Sequence, residues 1–132
     1  MKCSTLHSIL GITVGAHRLW SHRSFQASFP VRVVLMLLNS MANQGTILHW
    51  SRDHRVHHLN SDTDGDPHNA KRGFFFSHIG WLMVKKKQSV IDAGKKLDLS
   101  DLYDDPVVVF QQRLSPFLPI FIFSYFSTDL KK

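Results

Sequence analysis

The run Asp53-His54-Arg55-Val56-His57-His58 constrains the backbone more tightly than any other stretch of this chain. On a helix, His54, His57 and His58 stand at i, i+3 and i+4, so three imidazoles share one face within about one turn. That is a metal-ligand spacing, and imidazole is a common ligand for transition metals. A second pair, His17 and His22, lies upstream in His17-Arg18-Leu19-Trp20-Ser21-His22. Five residues of α-helix turn through about 500°, so this pair does not share a face in a regular helix. For both to serve one site, the helix must end or bend between them. A polar helix face is the plainer account of a single pair; three histidines on one face, joined by a second pair, favour metal.

Composition narrows the ligand set. Cys3 is the only cysteine, so no intrachain disulfide and no thiolate zinc ribbon can form. Metal ligands must come from His, carboxylates or water. The 132 residues make about one domain and carry a net charge of +6 with the nine histidines neutral. Basic residues gather at Arg52/Arg55, Lys71/Arg72, Lys85-Lys86-Lys87 and Lys95-Lys96, which suits anionic partners such as phosphates or anionic lipid. They alternate with apolar segments and form no stripe, so no nucleic-acid partner is expected. A His-rich zinc hydrolase would need a carboxylate base, and because the chain contains no Glu, that base would have to be an Asp such as Asp53.

The chain has no convincing targeting peptide, and no run reaches the roughly 18 apolar residues of a simple membrane span. Three shorter apolar stretches stand out at Ile9–Ala16, Val33–Ala42 and Phe117–Phe126. The first belongs to a helix expected from about Ser4 to His22, in which Gly11 and Gly15 have the spacing that permits close helix packing. Trp20 with Arg18 and Arg23 has the character of a membrane-water boundary. Ser24 to Pro30 reads as a connector, and Val31 to about Trp50 as an apolar segment in which Ser40, Asn43 and Gln44 line a cavity or an interhelical contact. Residues 24 to 50 are too few for two spans of about 20 residues each, which favours a re-entrant or interfacial segment.

Asn60 to Asn69 is a turn-rich loop. Its alternating Asp62, Asp64 and Asp66 are a poor calcium loop, because Gly65 falls at the wrong step; hydrogen bonding to the metal-ligating imidazoles is the better expectation, with His68 structural. Gly73 to Val84, aromatic and followed by three lysines, reads as an interfacial helix. A helix start is expected near Ser100, a turn at Asp104-Asp105-Pro106, and renewed apolar character from Val107 to Phe126.

Together, His17 to Ser24, Trp50 to His58, Asp66-Pro67-His68-Asn69 and Arg72 to Leu82 carry a specific resemblance over about residues 5 to 126. The chain is similar to the membrane acyl-CoA desaturases, above all to the animal stearoyl-CoA (delta-9) group and the insect enzymes. The resemblance implies an all-α fold, part of a multi-pass membrane helical bundle with a cytosolic His-rich di-iron cap, residues 1 to 132 being a partial desaturase domain. It implies iron ligation by His17, His22, His54, His57 and His58, an acyl tunnel lined by Gln44 and Trp50, and a CoA headgroup met by Arg52, Asp53 and Lys85. The implied reaction is an O2-dependent cis desaturation of a saturated fatty acyl-CoA, at delta-9 (or delta-11), with electrons from cytochrome b5 and its reductase. The implied location is the endoplasmic reticulum membrane, in contact with lipid, the His boxes facing the cytosol.

The chain departs from that family pattern. The family's third box, HxxHH preceded by Gly and Phe, is absent, as is a further Asn-and-His helix. The first membrane helix and most of the second are missing, Gly45 stands where Asn or Asp is usual, and Lys85 where Arg is common. Five imidazoles do not satisfy two irons, so one weak metal site and little or no activity are expected of these residues alone. An inactive truncated isoform or partial gene model is the alternative expectation, ahead of a metal hydrolase.

Overall fold

The computed structural model describes residues 7–115. Among these the secondary structure is helical, with no strand, as expected for an all-α chain. The chain divides into two compact units: residues 7–50 with 100–115, and Ser51–Leu99. The apolar stretch at Phe117–Phe126 lies outside the described residues, as does the expected helix start at Ser4.

In the first unit, residues 7–10 are α-helical and lead into a π-helix at Gly11–Ser21. Helix α1 follows at Phe29–Ala42, with Pro30 in its first turn, where the missing N–H costs no intrahelical bond. Gly11 and Gly15 explain how these two helices approach. A Cβ on Gly11 would stand 2.3 Å from the backbone of Leu38 and Asn39, and one on Gly15 would stand 3.0 Å from the Trp20 ring and 3.4 Å from Leu35. The small-residue spacing therefore serves close packing of this helix against α1, as its sequence suggests. Ala16, Leu19 and Trp20 meet the same core as Leu35 and Met36 of α1.

The apolar segment expected from Val31 to Trp50 is broken. Asn43 caps α1 in the left-handed region at φ 52° and Gly45 follows at φ 88°, a conformation glycine adopts at little cost. The chain then restarts as α2, Ile47–Asn60. Fourteen residues of α1 reach about 21 Å at 1.5 Å per residue, short of the roughly 30 Å of a bilayer's hydrocarbon. Among the described residues no helix is long and apolar enough to cross a membrane.

The returning segment, α5 at Ser100–Tyr103 and α6 at Pro106–Leu114, closes this unit. (The two helices between, α3 at Phe74–His78 and α4 at Gln88–Lys95, belong to the second unit.) Asp105 caps α6 by accepting from the Val107 amide at 2.9 Å, so the turn expected at Asp104-Asp105-Pro106 opens a helix. It also accepts from the Trp20 indole at 3.0 Å and pairs with Arg32 at 2.9 Å. Trp20 is thus a buried anchor, 4% exposed. Arg23 is engaged as well, in a two-point contact with Asp101.

The second unit carries the rest of α2, then a 3-10 turn at Ala70–Arg72, α3 at Phe74–His78, a 3-10 turn at Gly80–Met83 and α4 at Gln88–Lys95. The interfacial helix expected over Gly73 to Val84 is two short turns separated at Ile79. Val56 and Val90 are the buried hydrophobic side chains of the second unit, beside the buried polar Ser51, Asp53, Asp66 and Asn69.

Candidate metal centre

The π-helix resolves how His17 and His22 can act together. Its hydrogen bonds run i→i+5, so residues five apart stand above one another. The His22 amide donates to the His17 carbonyl at 3.0 Å. The Ser21 hydroxyl repeats the step, donating to Ala16 O at 2.6 Å. The Nε2 atoms of His17 and His22 lie 3.1 Å apart as a result. The π-helix ends at Ser21, between the two histidines as their spacing requires, with His22 as its C-cap, and the wider winding carries both imidazoles to one side.

In the second unit, α2 brings His54 and His58 together by ordinary α-helical geometry, Nε2 to Nε2 at 3.1 Å. His57 behaves differently from the simple three-on-one-face expectation. Its Nδ1 turns to the buried Asp66 carboxylate at 2.9 Å, and its ring packs on His68 with centroids 4.1 Å apart. The donor atoms of His57, Asp66 and His68 lie within 4.8 Å of one another. His68, read from sequence as structural, is therefore part of this cluster. Its only signal in the sequence was its place beside Asp66, which does not fix where its ring packs.

Electrostatics set the states of these groups. Burial works to raise the Asp66 carboxyl, but hydrogen bonds from His57 and from the Asp62 and His68 amides outweigh it and hold it below the usual carboxylate range. Burial, and next the neighbouring His57, lower His68, against the pull of Asp66.

The donor set fits a transition metal. Two nitrogens sharing one ion at a metal–nitrogen distance of about 2.0–2.1 Å sit roughly 3 Å apart. The His17/His22 and His54/His58 separations match that figure. Imidazole suits iron as well as zinc and copper.

The other residues singled out in the sequence fall in two groups. In the first unit, the Trp50 indole N–H donates to Gln44 Oε1 at 3.2 Å, and the Trp50 ring stands edge-on to His17 with centroids 6.1 Å apart. In the second unit, Asp53 is buried and binds both Arg52, at 2.9 Å, and Lys86. Lys86 was missed: three adjacent lysines look alike in sequence, and only the fold selects the middle one. Lys85 is exposed and lines a surface depression with Arg72, Phe76 and Trp81. Asp53 is committed to two cations, which disfavours Asp53 as the base that a hydrolase would require.

An all-helical chain that presents paired imidazoles at metal-ligand separation defines a class of histidine-rich helical protein suited to a transition metal. No family model matches the chain. It is 66% identical over 108 residues to an acyl-CoA desaturase of Cyprinus carpio, covering 82% of this chain and 33% of that protein. It is 63% identical over 108 residues to stearoyl-CoA desaturase 5 of Bos taurus, covering 82% and 32%. An acyl-CoA Delta(11) desaturase of Choristoneura rosaceana is 53% identical over 117 residues, covering 88% and 35%. The chain belongs to the acyl-CoA desaturase family. It spans about a third of the length of the curated relatives it matches.

Proposed function

We propose that this chain carries metal-ligating and substrate-contacting residues of an acyl-CoA desaturase that introduces a cis double bond, delta-9 or delta-11, into a saturated fatty acyl-CoA. The observation that carries the reading is 53–66% identity, over about four-fifths of the chain, to proteins named as acyl-CoA desaturases. Residues 1 to 132 are then part of a desaturase domain. His17, His22, His54, His57 and His58 are its iron donors, each offering Nε2.

Iron supplies the O2-derived oxidising power needed to take hydrogen from an unactivated methylene, with electrons from cytochrome b5 and its reductase. The chain's own residues bind and orient. Trp50, its indole N–H satisfied by Gln44, offers its apolar ring to an acyl chain beside His17. Arg52 and Lys85 attract the phosphates of a CoA headgroup, and Asp53 orients Arg52.

The proposed setting is a multi-pass helical bundle in the endoplasmic reticulum membrane, its histidines facing the cytosol and its helices in contact with lipid. Val31, Val34, Leu37 and Met41 support it, forming an exposed apolar strip along α1. The test is expression in yeast lacking its own delta-9 desaturase, with fatty acids resolved by gas chromatography. The chain extended with a relative's flanking segments is expected to yield monounsaturates, and its His54→Ala variant none. The 132 residues alone are expected to yield little or none, having fewer imidazoles than two irons require. An extended chain that is made in full yet gives no monounsaturates overturns the reading.

A further inference from the structure

We propose that Asp66 is the positioning residue for His57, holding its imidazole in the Nδ1–H form so that Nε2 alone is presented to a metal. The inference rests on the metal-ligand reading given above, and extends it to a residue outside the histidine clusters. Asp66 belongs to the turn-rich loop after α2, and its side chain is fully buried.

Each oxygen has a backbone donor. Oδ1 accepts from the His68 amide at 3.1 Å, and Oδ2 accepts from the Asp62 amide at 3.0 Å. A carboxylate held this way is an acceptor only. The His57 Nδ1, 2.9 Å from Oδ1, must therefore be the donor. An imidazole that gives its proton at one nitrogen keeps a lone pair at the other. The lone pair left on His57 is then on Nε2, the same atom through which His54 and His58 face each other.

The loop is built to keep the carboxylate in place. Asp62 takes a left-handed φ of 60°, which turns its amide toward Oδ2. The Asp66 amide donates to Thr63 O at 3.2 Å, and the Asn69 side chain donates to the same carbonyl at 2.7 Å. A carboxylate behind a metal-bound imidazole fixes ring orientation and raises ligand basicity, and its loss typically weakens metal binding 10–100-fold. The competing role, Asp66 and His68 as ligands of a separate ion, is disfavoured because the hydrogen bond with His57 already occupies the nitrogen that such an ion would need.

The test uses the full chain in detergent micelles with Co2+ as the metal, its visible absorption reporting ligand number and its titration reporting affinity. Nitrogen-15 shifts of the metal-free histidines report tautomer. Asp66→Ala is expected to weaken Co2+ binding by about 10–100-fold and to shift His57 toward the Nε2–H form. Asp66→Asn, which keeps one acceptor oxygen, is expected to lose less. In a His57→Ala background Asp66→Ala should weaken binding no further. Equal loss with and without His57, or a loss from His68→Ala as large as that from His57→Ala, would overturn the proposal. If the parent chain takes up no Co2+, the metal reading fails by itself; the tautomer measurement still decides the positioning role, which an Nε2–H His57 in the parent would refute.

Discussion

The amide of His22 donates to the carbonyl of His17, five residues back, and the two Nε2 atoms stand 3.1 Å apart. Backbone winding and donor placement are thus one feature. π-helical segments are rare and often sit at functional sites. Here the winding is held by packing, because Gly11 and Gly15 let α1 close on the same helix.

Gly11→Ala therefore tests the base of the site. The added methyl would lie 2.3 Å from backbone atoms of α1, which cannot swing aside as a side chain can. A loss of about 3 kcal/mol is expected, with a smaller loss for Gly15→Ala, whose nearest contact is the Trp20 ring. Urea unfolding of the chain in micelles, followed by circular dichroism, gives the order of the two.

Gln111 is a buried side chain of the first unit that joins three parts of the chain. Its Oε1 accepts from the Ile47 amide at 2.7 Å, and its Nε2 donates to Asn39 at 2.9 Å and to Ser40 at 3.0 Å. Gln111→Leu keeps the volume but leaves the Ile47 amide unpaired, at about 1–3 kcal/mol for each buried group so stranded. The same unfolding experiment should show Gln111→Leu losing at least about 2 kcal/mol. A loss below the error of the measurement would mean that water replaces the amide.

Lys85 and Lys86 should separate cleanly. Lys86→Gln removes one of two cations from a buried carboxylate, for an expected loss of about 2 kcal/mol, since Arg52 still holds Asp53. Lys85→Gln, at an exposed position, should change stability by less than about 0.5 kcal/mol. Thermal unfolding of the two variants side by side checks the difference.

Acid should destabilise the second unit in two steps. His68 is held below the ordinary value of 6.5, chiefly by burial, so the unfolded chain takes up that proton first. Stability is therefore lost as pH falls from about 6.5 toward the folded value. Asp66 lies below 3.8 in the fold, so its contribution is complete above that value and disappears as pH falls through its folded pKa. Melting temperatures of chelator-treated protein from pH 8 to 3 should show both declines, and His68→Gln should remove the first.

By itself, the sequence determined the helical class, the i, i+3, i+4 arrangement on α2, the packing role of Gly11 and Gly15 and the helix start at Ser100. These depend on contacts within a turn or two, or on the presence of a single side-chain type, and such information is local. It also carried the family resemblance, because runs such as Trp50 to His58 are specific at the level of residue order. Only the tertiary structure decided that residues 11–21 wind as a π-helix, that Trp20 is buried against Asp105, that Lys86 and not Lys85 binds Asp53, and that His57 turns from its neighbours to Asp66. Each is a choice among near-equal local options, made by a partner distant in sequence. Trp20 and Asp105 are 85 residues apart, and Asp53 and Lys86 are 33 apart. The energy that selects between adjacent lysines or between two rotations of an imidazole comes from burying one charge or one N–H against its acceptor, and it exists only once the chain has folded.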